Sequence, residues 1–210
     1  MEVEGLGARV LTAGSLGSAR RLASTARTTP PLNPPVTMRS ILATALALAT
    51  VSSAARAQTK QQLIEDWERQ RTNVLAYVDA MPDSAMGFRP TPGVRDFAEQ
   101  IVHAVGTNVE VAAIALRGVQ AVPFTIDSTQ VHQKGALHDY TDRAFTYVLD
   151  ALKSATPSQL LRQSSLFNLP AQSATRWLLL SYEHSVWTLG QTVPYLRLNG
   201  VTPPAYKQPL

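Results

Sequence analysis

Two stretches of this sequence carry side chains that can do chemistry. In "SYEHSVWTLGQTVPYLRLNGVTPP" (181–204), His184, Thr188, Gln191 and Tyr195 recur at three- to four-residue spacing. A helix there would set an imidazole, a hydroxyl, an amide and a phenol along one face. In "FRPTPGVRDFAEQIVHAVGTN" (88–108), His103 shares a helical side with Glu99, Thr107 and, just beyond, Glu110. An imidazole titrates near neutrality and binds borderline metals, while hydroxyls, amides and phenols orient a ligand by hydrogen bonds. Two readings stand: ordinary wet helix faces, or the walls of a binding site. A lone histidine on such a face is more often a solvated surface residue. His132 and His138 read as loop residues with no partner at ligand spacing. Taken alone, these features identify no reaction.

The elements that must hold these side chains are helices. Leu63, Trp67, Val74, Val78 and Met81 recur at helical spacing over 59–81, with Thr59 as the N-cap. A Pro/Gly-rich break (81–93) precedes a second helix from Arg95-Asp96 to Arg117, closed by Gly118. Its stripe is Phe97, Ile101, Val105, Val109, Ala112 and Leu116. After a loop over 119–138, a third helix is expected from Asp139 to Ser154, burying Phe145, Val148, Leu149 and Leu152. Thr156-Pro157-Ser158 opens a short turn, and "SLFNLP" (165–170) is a connection. The fourth helix is expected from Ser173 to Leu198, kinked by Pro194, which cannot donate to the carbonyl of Gly190. It has an apolar face of Leu178, Tyr182, Leu189, Val193 and Leu196, opposite Trp177, His184, Thr188, Gln191 and Tyr195. No run alternates with period two. The fold class is all-α, a four-helix bundle.

The N-terminal region has a different character. "MRSILATALALATVSSAARAQ" (38–58) shows a charged start, a short apolar run and an Ala55-Arg56-Ala57 ending. That order is a secretory signal peptide cleaved before Gln58, and its apolar run is too short to span a bilayer. The expected location is periplasmic or secreted, with no membrane span after cleavage. Residues 1–37 are rich in Ala, Gly, Ser, Thr, Arg and Pro and read as a disordered, misassigned extension, translation starting at Met38. The chain's net charge of +4 comes entirely from 1–57, which hold six arginines and two glutamates. From Gln58 to Leu210 there are 13 basic and 13 acidic residues, so the high pI is no argument for nucleic acid as a partner. The absence of cysteine excludes disulfides, thiolate nucleophiles and Cys-ligated zinc.

The two quoted stretches resemble the signature regions of the DinB-like proteins. The F-R-P turn before a helix with a mid-helix histidine matches, as does the G-Q-x-x-x-Y-L-R-x-x-G-x-x-P-P ending. The similarity covers essentially all of 59–204. It implies an up-down-down-up bundle, and several members bind a divalent metal through one histidine on the second helix and an H-x-x-x-H pair on the fourth. Carried over, these positions fall on His103, His184 and Thr188. Threonine offers only a weak neutral oxygen, so zinc or nickel held by His103, His184 and Thr188, with Glu110 or water, would be bound far less tightly than by three imidazoles. His103 and His184 are expected to face one cavity, with Thr107, Glu110, Gln191 and Tyr195 along its wall.

Some members are metal-dependent transferases or isomerases that use low-molecular-weight thiols, which are cytosolic, and many have no known activity. The resemblance therefore implies an exported domain with a degenerate metal site and transferase or hydrolase chemistry. The alternative is a non-catalytic binding or stress-associated module that keeps the pocket. A small molecule is the expected partner, and a homodimer through an exposed helix face stays open.

Overall fold

The computed structural model describes residues 58–208; the expected signal peptide and extension (1–57) lie outside them. Four long elements follow one another: α1 (Lys60–Ala80), α2 (Phe97–Val111), α3 (Lys134–Ser154) and α5 (Ala174–Gln191). A short α4 (Pro157–Leu161) and a two-residue hairpin pair, β1 (Gln163–Ser164) and β2 (Gln172–Ser173), link α3 to α5, and α6 (Val193–Leu198) extends α5. No described helix is long and apolar enough to cross a membrane.

Side-chain contacts give the helix directions. Lys60 reaches the carbonyls of Lys153 and Ala155, Arg71 pairs with Asp142, and Lys134 reaches the carbonyl of Asp79, so α1 and α3 are antiparallel. Asn108 meets Ser181 and Gln100 meets Gln191, so α2 and α5 are antiparallel too. Arg69 with Tyr182 and Gln70 with Ser185 set α1 and α5 in the same direction. The bundle is therefore up-down-down-up, and the 119–133 segment must cross its length because α2 and α3 run parallel. The main packing pairs are α1 on α3, α2 on α5 and α2 on α3.

The apolar periodicities of α1, α2 and α3 all point inward. Trp67, Val78, Phe97, Val105, Phe145 and Leu152 are fully buried, with Trp177 from α5 beside them. Burying each such side chain contributes roughly 1.5–3 kcal/mol. Thr59 caps α1 as expected, its hydroxyl accepting from the Gln62 amide in a reciprocal capping box.

Helix boundaries differ from the periodicity in three places. The third helix begins at Lys134 rather than Asp139, because Gln133 lies extended and the first turn hangs on its carbonyl. His138 is consequently a helical residue, its Nε2 lying 3.7 Å from Asp79. The fourth helix is two segments that break at Thr192, where Pro194 removes the needed N–H. The end of α2 widens into a π-helical turn (Ala112–Arg117), and Gly118 closes it at φ 70°, a left-handed conformation suited to glycine. The carbonyl of Ala115 in that turn accepts hydrogen bonds from Arg162 (2.6 and 3.2 Å).

Candidate functional site

The seam between α2 and α5 is held by a ladder of polar contacts. The Ser181 hydroxyl donates to Asn108 Oδ1 (2.7 Å). His103 and His184 face each other through Nε2 atoms 3.1 Å apart. The Gln100 amide donates to Gln191 Oε1 (2.5 Å), and the Tyr195 phenol donates to the carbonyl of Arg95 (2.7 Å). A bundle seam is ordinarily apolar; this one instead stacks polar pairs one or two turns apart.

The fourth helix therefore does not divide into a dry face and a wet one. Trp177, Thr188 and Tyr195 from the supposedly polar side are buried, while Tyr182 and Val193 from the apolar side are only half-buried. Both faces pack, one on the core and one on α2. The Thr188 hydroxyl is buried within 3.4 Å of His184 Nε2.

The imidazole rings of His103 and His184 cross nearly edge to face (84°). At this separation only one proton fits between the two facing nitrogens. Burial lowers the pKa of both, and the positive charge of Arg95 lowers both further. His184 Nδ1 is buried with no hydrogen-bond partner among the described residues.

A cavity of about 300 Å³ opens beside this pair. His103, His184, Thr107 and Ser181 line its polar end; Phe167, Leu169, Trp177 and Leu180 line the apolar one. Such volume lies at the lower end of the range for small-molecule pockets. The hairpin β1–β2 positions its rim: Ser164 pairs with Gln172, and the Trp177 indole N–H donates to the carbonyl of Ser164 (2.7 Å). The intervening loop carries Phe167 and Leu169 to the mouth. Of these apolar wall residues only Trp177 was singled out in the sequence, although "SLFNLP" is an apolar run in a connection, a signal that it packs on something.

Gln191 and Tyr195, expected farther along the same wall, line a second hollow of about 570 Å³ with Arg89, Arg95 and Gln100. Glu110 is half-buried and lines neither cavity. A wider hollow of about 900 Å³ between α1 and the C-terminal segment is lined by Gln62, Asp66, Arg69 and Lys207, far in kind from the histidines. Asp66 and Arg69 already pair there at 2.7 Å, which leaves little chemistry to that hollow.

The turn before α2 is tied by Asp96. Its side chain accepts from the Glu99 amide (2.9 Å), and Glu99 accepts in return from the Asp96 amide. Arg89 bonds the carbonyl of Val94 and pairs with Glu99 (2.9 Å) and Asp96 (3.4 Å). His132, read as a partnerless loop residue, lies with its Nε2 3.1 Å from Asp96. Phe88 packs edge-on against Tyr195 (87°). The F-R-P turn thus fixes where α2 begins, and with it the register that brings His103 to His184.

The donor set decides what metal these residues fit. Two imidazoles on one tetrahedral zinc stand about 3.3 Å apart, given Zn–N distances near 2.0–2.1 Å. The observed 3.1 Å is close to that spacing, and Thr188 is the nearest further donor. Among the described residues no group of three His, Cys, Asp or Glu comes together as a metal site. The orphaned Nδ1 of His184 also lacks the carboxylate or carbonyl partner that usually orients a metal-binding imidazole. At this point the described residues offer an ion two imidazoles and one hydroxyl.

The DinB superfamily profile matches residues 66–192, more than half of the chain. Two solved structures are similar in fold. A DinB-like protein from Bacillus subtilis superposes with a TM-score of 0.60 at 17% identity, covering 70% of this chain and 99% of the other. A DinB-like protein from Bacillus cereus gives 0.58 at 16%, covering 70% and 97%. At such identity these likenesses speak to fold alone. None of the curated proteins matches the chain.

Proposed function

Starting from the fact that this chain belongs to the DinB superfamily, we propose that it is a small-molecule-binding bundle whose site holds a divalent ion weakly and exchangeably. One observation carries the reading: His103 and His184 converge at 3.1 Å from two helices beside a ligand-sized cavity. His103 and His184 would hold the ion, with Thr188 and water completing its shell. When bound, zinc or nickel would supply a Lewis acid that polarises a carbonyl or acidifies a water, the chemistry of a transferase or hydrolase. The chain's own part is to orient and dry the site. Trp177 and Phe167 exclude water from one side, and the buried Thr188 hydroxyl fixes the His184 ring.

A second reading is a binding module without catalysis. The mostly apolar lining of the cavity favours it, because such walls gain binding energy from burial whether or not a reaction follows. The charged, apolar and Ala-x-Ala order of residues 38–57 supports placing the domain outside the cytoplasm.

Calorimetric titration of the full chain with zinc and with nickel tests the main reading. The expected result is a single weak site that disappears in His184→Ala. Binding that survives His184→Ala, or no binding at all, leaves the second reading.

A further inference from the structure

The cavity beside the histidines is lined without a carboxylate, an ammonium or a guanidinium. No Asp, Glu, Lys or Arg reaches it, and Val111 joins Phe167, Leu169, Trp177 and Leu180 in its apolar wall. Besides the imidazoles, the lining side chains that can donate a hydrogen bond are Thr107, Trp177 and Ser181, and each is already committed. The Thr107 hydroxyl donates to the carbonyl of His103 (2.8 Å), the Ser181 hydroxyl to Asn108 Oδ1 (2.7 Å) and the Trp177 indole to the carbonyl of Ser164 (2.7 Å). His103 and His184 are turned to each other through their Nε2 atoms, and His184 Nδ1 is buried. A carboxylate entering here would give up water without meeting a lysine, an arginine or a free hydroxyl proton, and an ammonium would find no carboxylate.

The apolar end is held in place at some cost. Phe167 and Asn168 adopt φ values of 54° and 60°. For phenylalanine this left-handed backbone is a genuine outlier, and such strain persists only where surrounding contacts impose it. The Leu169 amide donating to Leu166 (2.9 Å) and the Phe167 ring edge-on to Trp177 (78°) are those contacts. The result is two large apolar side chains, Phe167 and Leu169, each about half exposed and presented at the mouth.

We propose that the histidine cavity takes a small uncharged ring compound, seated against Phe167, Leu169 and Trp177, and turns away charged counterparts of the same shape. Burial against the apolar wall supplies affinity, and the edges and faces of two aromatic rings favour a flat body. Desolvation of a charge that meets no opposite charge supplies the selection. The volume of about 300 Å³ keeps the body small. The inference rests on the cavity being the ligand site, as proposed above, and needs no metal.

Ligand-observed NMR titrations of the full chain, at neutral pH with chelator present, compare benzamide with benzoate and benzyl alcohol with benzylamine, each pair alike in shape. The uncharged member of each pair should bind at least about tenfold more tightly, a modest part of the cost of burying an unpaired charge. Leu169→Ser, a change at a half-exposed position, should weaken both uncharged probes. Leu169→Lys, which puts a cation at the mouth, should narrow the gap between benzamide and benzoate and keep the alcohol ahead of the amine. A charged probe that binds as well as its uncharged partner, or a benzamide–benzoate gap untouched by Leu169→Lys, overturns the inference and leaves the cavity as the ligand site. Uncharged probes unmoved by Leu169→Ser, or no binding of any probe, overturn both. Because chelator is present, these failures are separate from the metal reading, which stands or falls on the zinc and nickel titrations.

Discussion

The Nε2 atoms of His103 and His184 meet 3.1 Å apart although 81 positions separate the two residues in sequence. They meet because α2 and α5 run antiparallel in fixed register, tied above by Asn108–Ser181 and below by Gln100–Gln191.

A pH dependence of stability follows. Both imidazoles have folded-state pKa values below the ordinary one, through burial first and Arg95 second. The unfolded chain therefore binds protons that the folded pair resists, starting near pH 6.5. Stability should be full above that value and fall as pH drops toward the lowered pKa values. Urea melts from pH 8 to pH 5 measure it, and His103→Gln should flatten the decline. A decline equally steep in His103→Gln would contradict the account.

Asp96 should be the most sensitive polar residue of the α2 entry. Its carboxylate, only 6% exposed, caps the helix and meets His132 and Arg89. Asp96→Ala should cost about 1–2 kcal/mol, the upper range for a lost cap. Asp96→Asn, which keeps the cap, should cost less. Denaturant midpoints at constant m-value check the order, and equal losses in both variants would refute it.

Gly118 closes the π-helical turn at φ 70°, and a β-carbon there would stand 3.1 Å from Arg162 Nη1. Gly118→Ala should destabilise by about 1–2 kcal/mol, the cost of a left-handed residue with a side chain. Thermal melts read it directly. A neutral effect would mean that the turn refolds around the substitution.

Much of the fold is legible in the sequence because three helices bury one periodic stripe each, and every predicted member of those stripes is in the core. The fourth helix resists that logic: it packs on both sides, so Trp177 and Thr188 look like exposed-face residues by position and are buried in fact. His103 and His184 are legible through the family motif, not through spacing, since no local pattern reports an 81-residue separation. The cavity's apolar wall is less legible. Phe167 and Leu169 come from an irregular loop whose path depends on a two-residue hairpin and a strained backbone, neither of which has a periodic signature. Gln191 and Tyr195 share a helical stripe with His184, yet a stripe spans two hollows here because Gln100 reaches across to Gln191.

If His103 and His184 form a divalent-ion site weakened at Thr188, zinc affinity must follow the number of imidazoles at that point. Zinc titration of wild type, Thr188→His and His184→Ala, with circular dichroism confirming that each is folded, tests it most directly. A third imidazole closes most of a tetrahedral shell, so Thr188→His should bind at least about tenfold more tightly than wild type, and His184→Ala should not bind measurably. Equal zinc affinity in all three folded proteins would contradict the account.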